Sequence, residues 1–161
     1  MISILFIYLN RFQLTGFDLF GTHKINPSWE IVKELEGKQV RGLQVITHKL
    51  PVVYEDVSLL LPKIWTDHPN VVLCVHVGVG LPGQINIETR ARNGDYVRLD
   101  NNNTFPSSQA CIASCDKGTC LKPRLDVDCI VKNMAFSLQQ FNVPVKCSSE
   151  AGLFLCEFTY F

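Results

Sequence analysis

Cysteine and histidine carry the widest chemistry in this 161-residue chain, which has seven of the first and four of the second. Cys156 stands apart. It follows the small pair Ala151–Gly152 in SSEAGLFLCEFTYF (148–161), at the start of a segment that reads as a helix. The free N–H groups of a helix start favour an anion. A thiolate there is expected to have a lowered pKa and to be alkylated faster than an ordinary thiol. Pattern alone puts another reading first, because free cysteines are most often buried as small hydrophobes. The reactive reading needs a base and a group to orient it.

None of the histidines has the context of such a base. His68 lies in the turn TDHPN and reads as solvated, His48 comes just before a Leu–Pro pair at a strand end, and His23 follows an FGT turn. His76 sits inside an apolar strand, where a hydrogen-bonded structural imidazole is expected. Glu88, in INIETRA, reads first as a surface carboxylate. Phe17 and Phe20 flank the turn TGFDLFG (15–21). They are either core residues or the walls of a flat apolar slot for a ring-shaped ligand. The loop VGVGLPG (77–83) is glycine-rich but lacks the GK[ST] of a phosphate loop.

The cysteine cluster CIASCDKGTC (111–120) has irregular spacing and lacks the paired couples of a zinc site, so no metal and no cofactor is expected. The odd cysteine count, with Cys74 and Cys129 inside apolar runs, suits free thiols in a reducing compartment, without a disulfide network. Lys plus Arg and Asp plus Glu both number 15. No basic run favours nucleic acid, and the partner is expected to be small or neutral. The apolar start MISILFIYLNRF is far short of the roughly 18 residues of a spanning helix and lacks the marks of a signal peptide. It reads as an apolar leader over 1–11, so no membrane is expected as a partner.

The elements that must position these groups alternate along the chain. FQLTGF (12–17) reads as a strand. NPSWEIVKELEG (26–37) reads as a helix capped by Asn26, opened by Pro27 and ended at Gly37, with Trp29, Val32 and Leu35 facing the core. QVRGLQVITHKL (39–50) reads as a strand interrupted at Gly42, and YEDVSLLLPKIW (54–65) as a helix containing Pro62. NVVLCVHVGVG (70–80) suits a central strand covered on both faces. GQINIETRARN (83–93) alternates like a strand, and residues 94–124 read as a long surface excursion. DVDCIVKNMAFSLQQF (126–141) places Val127, Ile130, Val131, Met134, Leu138 and Phe141 on one helical face. VPVKCS (143–148) is a short strand before the final helix. Such alternation implies a mostly parallel sheet, with the working site at the carboxyl ends of its strands.

In order, TGFDLFGTHKINPSWE, LPVVYEDV, VVLCVHVGVG, GDYVRLDNN and SSEAGLFLCEFTYF resemble the pyroglutamyl-peptidase I family, in its animal form, from about Leu14 to the last residue. These are cysteine peptidases that remove an N-terminal pyroglutamate from peptides. The resemblance implies an α/β fold: a single three-layer α/β/α sandwich over 1–161 with a mostly parallel mixed sheet, incomplete at the C-terminus. It also implies a cytoplasmic enzyme acting on peptides with an N-terminal pyroglutamate. Cys156 falls on the family nucleophile and Glu88 on its acid. Phe17 and Phe20 fall on the walls of the ring pocket, and Val77, Gly78 and Val79 on the loop that contacts the lactam. The family's histidine is expected beyond the last residue, which implies little or no activity for these 161 residues. The alternative is a non-catalytic relative that binds peptide ends or has only an interaction role. Two positions depart from the family pattern. Asp18–Leu19 replaces Gly-Pro between the phenylalanines, and Leu153 replaces an arginine after Ala-Gly.

Overall fold

A computed structural model of the chain describes residues 11–161; the leader expected over 1–11 lies, except for Arg11, outside the described residues. Strand β1 (Arg11–Phe17) is central in a four-stranded sheet of order β2-β3-β1-β4. It pairs in parallel with β3 (Leu43–Leu50) and with β4 (Val71–His76). The short β2 (Gln39–Val40) runs antiparallel to β3. The two-residue turn between them has positive φ at both Arg41 (50°) and Gly42 (79°). That is the hairpin geometry whose twist matches its strands, and it explains the break read at Gly42.

The period of two along β1 sorts its side chains onto the two sheet faces. Phe12 and Leu14 pack with Val45 and with Trp29, Val32 and Leu35 of the segment carrying helix α1 (Pro27–Lys33). Gly16 is what allows that helix so close, since a Cβ there would lie 2.8 Å from the Ser28 carbonyl oxygen and the Trp29 Cα. Asn26 caps α1 by accepting the Ser28 N–H, as expected. On the opposite face Phe17, Leu50 and Val52 join Val57 and Ile64 of α2 (Tyr54–Asp67) and Leu155 and Phe158 of α4 (Leu155–Tyr160). Helix, sheet and helix thus form three layers.

A second parallel pair joins β5 (Ile85–Glu88) to β8 (Val145–Ser148), with Glu88 opposite Ser148. The strand expected over 83–93 breaks at Thr89, whose N–H and Oγ1 both donate to the Ser148 carbonyl. The chain then resumes as β6 (Ala91–Arg92), antiparallel to β7 (Cys120–Leu121). Helix α3 (Val127–Leu138) packs on β8.

Three expectations are corrected. Strand β4 is not central: it is the last strand of its sheet among the described residues, and Val72 and Val75 are 57% and 38% exposed. Its apolar run gives no sign of which edge lacks a neighbour. Phe141 leaves the apolar stripe of α3 and is 63% exposed, because a tight 3-10 turn (Gln139–Phe141) follows the helix and turns it away. Residues 94–124 are not merely a surface excursion. Tyr96 is fully buried and meets Tyr54 and Phe158 at ring separations of 6.1 and 5.3 Å. Buried Asn93 donates to the Ile112 and Cys115 carbonyls and accepts the Ile112 N–H, closing the loop on itself. Asp100 accepts the Tyr54 N–H and so caps α2, whose own N-cap residue, Val53, lacks a capping side chain. Among the described residues no helix is long and apolar enough to cross a membrane.

Candidate active site

Four connections leave the carboxyl ends of parallel strands, and the side chains they carry meet. The turn after β1 bears Phe17 and Phe20, the loop after β4 bears Val77–Gly80, β5 ends on Glu88, and β8 leads through 149–154 to Cys156. A cavity of about 100 Å³ is lined by Phe17, Phe20, Val79, Arg98, Phe154 and Cys156, with Asn26 and Val52 at its walls. A water needs roughly 10–15 Å³ of such space, so the cavity has room for several waters or one small group.

Gly78 fits Cys156 closely. A Cβ built on Gly78 would stand 2.6 Å from Cys156 Sγ, so only glycine leaves the sulfur where it is. Val77 donates its N–H to the Thr15 carbonyl, which ties this loop to β1. Glu88 lies near enough for its charge to oppose ionisation of both Cys156 and Tyr160. One buried Glu88 oxygen, Oε2, and the buried Tyr160 hydroxyl have no hydrogen-bond partner among the described residues. Cys156, Phe17, Phe20, Val79 and Gly78 therefore sit together, with Glu88 outside the cavity lining but near enough for its charge to act on Cys156, whereas Val77 packs into the core beside Leu14.

The lowered pKa expected for Cys156 is corrected. Burial pushes its thiol up to about 11, and the Arg98 guanidinium and the residue's own backbone amide offset only part of that. Helix α4, which carries Cys156 in its first turn, has six residues, a weak counterweight to desolvation. The histidines make other contacts. His76 Nδ1 lies 2.8 Å from Thr15 Oγ1, and burial lowers its pKa to about 4, so it stays neutral. His68 Nδ1 accepts from Arg11 Nη1 at 2.8 Å and its ring stands 5.5 Å from that of His48, whose pKa is lowered by burial and by this neighbour. His23 rests 5.0 Å from the Phe20 ring. All seven cysteines are free.

Asp18 does not charge the cavity. It pairs with Lys49 Nζ at 2.7 Å on the exposed side of the turn, and this bond holds its carboxyl below the ordinary value. Asn101 donates to the Leu19 carbonyl at 2.8 Å and fastens the same turn to the 94–124 segment.

Two site features escaped the sequence reading. Arg98 reaches the cavity from that segment with its guanidinium 4.3 Å above the Phe154 ring. Its only sequence signal is its place in GDYVRLDNN. The second is a pair between partly buried Arg92 and fully buried Glu157, which adjoins Cys156 in the chain. A charged residue at an inward position of an apolar helix was the available signal.

The family profile described as pyroglutamyl peptidase matches residues 10–161. Pyroglutamyl-peptidase 1 of Homo sapiens and of Mus musculus is 37% identical over 151 residues, covering 92% of this chain and 69% of the relative. The pyrrolidone-carboxylate peptidase of Bacillus licheniformis is 33% identical over 150 residues, covering 92% and 66%. Among solved structures, pyroglutamyl peptidase I of Bacillus amyloliquefaciens superposes with a TM-score of 0.79 at 26% identity, covering 94% of this chain and 71% of that one. A mutant pyrrolidone carboxyl peptidase of Pyrococcus furiosus gives 0.78 at 27% identity, covering 94% and 70%. Profile, relatives and fold agree that the chain belongs to the pyroglutamyl-peptidase family.

Proposed function

We propose that the cavity receives the ring of an N-terminal pyroglutamyl residue and that Cys156 is the nucleophile for its removal. The observation that carries this reading is the packing of Cys156 Sγ against Gly78 at the rim of a small, phenylalanine-lined cavity. Phe17 and Phe20 give the lactam ring flat apolar walls. Gly78 and Val79 border the reacting end, while Val77 anchors their loop to β1. The thiolate adds to the pyroglutamyl carbonyl, the tetrahedral intermediate expels the peptide amine, and water releases pyroglutamate from the acyl-enzyme. Arg98 favours the thiolate and main-chain amides at the start of α4 face the oxyanion.

Proton transfer sets the limit on these 161 residues. A thiol with a pKa near 11 is almost wholly protonated at neutral pH, and none of the described histidines hydrogen-bonds to it. Glu88 Oε2 keeps a buried acceptor to orient an imidazole. We therefore expect these residues alone to show little or no hydrolysis of a pyroglutamyl reporter amide, because nucleophile and base act as a unit. The relatives are longer, and adding the segment with which one of them continues should restore turnover. Clear turnover by the unextended chain, abolished by Cys156→Ala, would overturn the missing-base reading. Failure of the extended chain with intact folding would overturn the assignment of Cys156. Action in the cytoplasm belongs to the same proposal.

A further inference from the structure

The turn that delivers Cys156 is built from unfavourable backbone. Gly152 and Leu153 are both left-handed, with φ of 100° and 48°. Glycine adopts such a conformation freely, but a leucine does so only when its surroundings hold it there. The N-cap of α4, Phe154, also makes no side-chain cap.

Glu157 supplies what is missing. It is fully buried, and its two oxygens take four N–H donors. Oε2 accepts the Leu153 N–H at 2.8 Å and Arg92 Nη2 at 3.1 Å. Oε1 accepts Arg92 Nε at 2.8 Å and the Arg92 backbone N–H at 3.0 Å. Glu157 thus reaches back one residue beyond the N-cap, a displaced form of the capping box. From Arg92 the network continues to Glu150 at 3.0 Å, and Arg90 joins Glu150 at 2.8 Å and the Ser149 carbonyl at 2.9 Å. The two arginines of the β5–β6 segment therefore hold both ends of the 149–153 turn. Nothing in this network touches the cavity.

We infer that Arg92 and Glu157 are positioning residues, which hold Leu153 in its left-handed conformation so that the start of α4 presents Cys156 and its neighbouring amides to the cavity. This rests on the reading of Cys156 as the nucleophile, but its structural part can be tested without it. Hydrogen exchange of the amides at 150–156 and the rate of Cys156 modification by a pyroglutamyl chloromethyl ketone are measured on the full chain. Glu157→Ala should raise exchange at 150–156 by about tenfold, the loss of one charge-assisted hydrogen bond, with β1 and β3 unchanged. The modification rate should fall with it. Adding Leu153→Gly should recover part of that rate, because glycine holds the turn without the carboxylate. If Glu157→Ala does not fold, Glu157→Gln carries the test: it keeps an acceptor for Leu153 but loses the ion pair, and should show a smaller increase confined to the same amides. Unchanged exchange at 150–156, a rise spread evenly over the chain, or no recovery with Leu153→Gly would overturn the inference. A wild-type chain left unmodified at Cys156 would instead fail the nucleophile reading, while exchange at 150–156 still decides the role of Glu157.

Discussion

Replacing Gly78 by alanine probes the site with a single methyl group. The added Cβ would lie 2.6 Å from Cys156 Sγ and 3.4 Å from Cys156 Cβ. Carbon contacts are ordinary from roughly 3.5 Å, so the sulfur must retreat by nearly 1 Å or turn to another rotamer. The fold loses little, because the atom that moves is the tip of a side chain; overpacking costs about 1–3 kcal/mol, and this site falls at the low end. Reactivity loses much more, since a misplacement of about 1 Å at a reacting atom costs on the order of 10²-fold. Modification of Cys156 by a pyroglutamyl chloromethyl ketone, followed at pH 9 by peptide mass mapping, should slow by about that factor. Gly80→Ala is the matched control, because a Cβ there meets nothing within 4 Å and the backbone is not left-handed. It should leave the rate within twofold. A Gly78→Ala chain modified as fast as wild type would refute the argument that this contact places the nucleophile.

Other consequences follow from the same geometry. Alkylation of Cys156 by iodoacetamide should be slower at pH 7 than that of exposed Cys120, Cys129 or Cys147, and should climb about tenfold per pH unit toward a pKa near 11. Phe20→Ala should weaken protection of Cys156 by a pyroglutamyl peptide while lowering the unfolding midpoint little, since Phe20 is only partly buried; Phe158→Ala, in the aromatic core, should cost about 3–5 kcal/mol in urea melts. For Asp100 and Glu157 burial would raise the carboxyl pKa, but hydrogen bonds from Thr104, Tyr54 and Asn102 to the first, and from Arg92 and Leu153 to the second, outweigh it and hold both below their ordinary 3.8 and 4.5. A depressed carboxyl stabilises above its unfolded pKa. Stability should therefore hold above pH 4.5, begin to fall below the ordinary values of 4.5 and 3.8, and go on falling as the pH drops through the lower folded pKa values, a decline that Asp100→Asn should flatten in part.

Local signals carried the reading of β1, of the Asn26–Pro27 helix start, of the Gly42 break and of α2, because each depends on period, cap or turn chemistry within a few residues. The order and spacing of the chain's motifs carried the family. What local pattern could not show was which groups meet across sequence distance. The edge position of β4 depends on the absence of a neighbour, not on its own apolar residues. The 94–124 segment looks like a loop in composition, yet Tyr96, Arg98, Asp100 and Asn101 are placed by contacts with α2, Phe154 and the Phe17–Phe20 turn. The pKa of Cys156 shows the same division: its place at a helix start argued for a lowered value, and burial by remote elements reversed it.

The central claim is that Cys156 lies at the reacting end of a cavity selective for a pyroglutamyl ring. The most direct measurement is the distribution of a pyroglutamyl chloromethyl ketone over the seven cysteines of the folded chain, with and without a competing pyroglutamyl peptide. The account predicts modification concentrated on Cys156 although Cys120, Cys129 and Cys147 are more exposed, and suppressed by the competitor. Modification following exposure, with Cys156 spared or the competitor without effect, would contradict it.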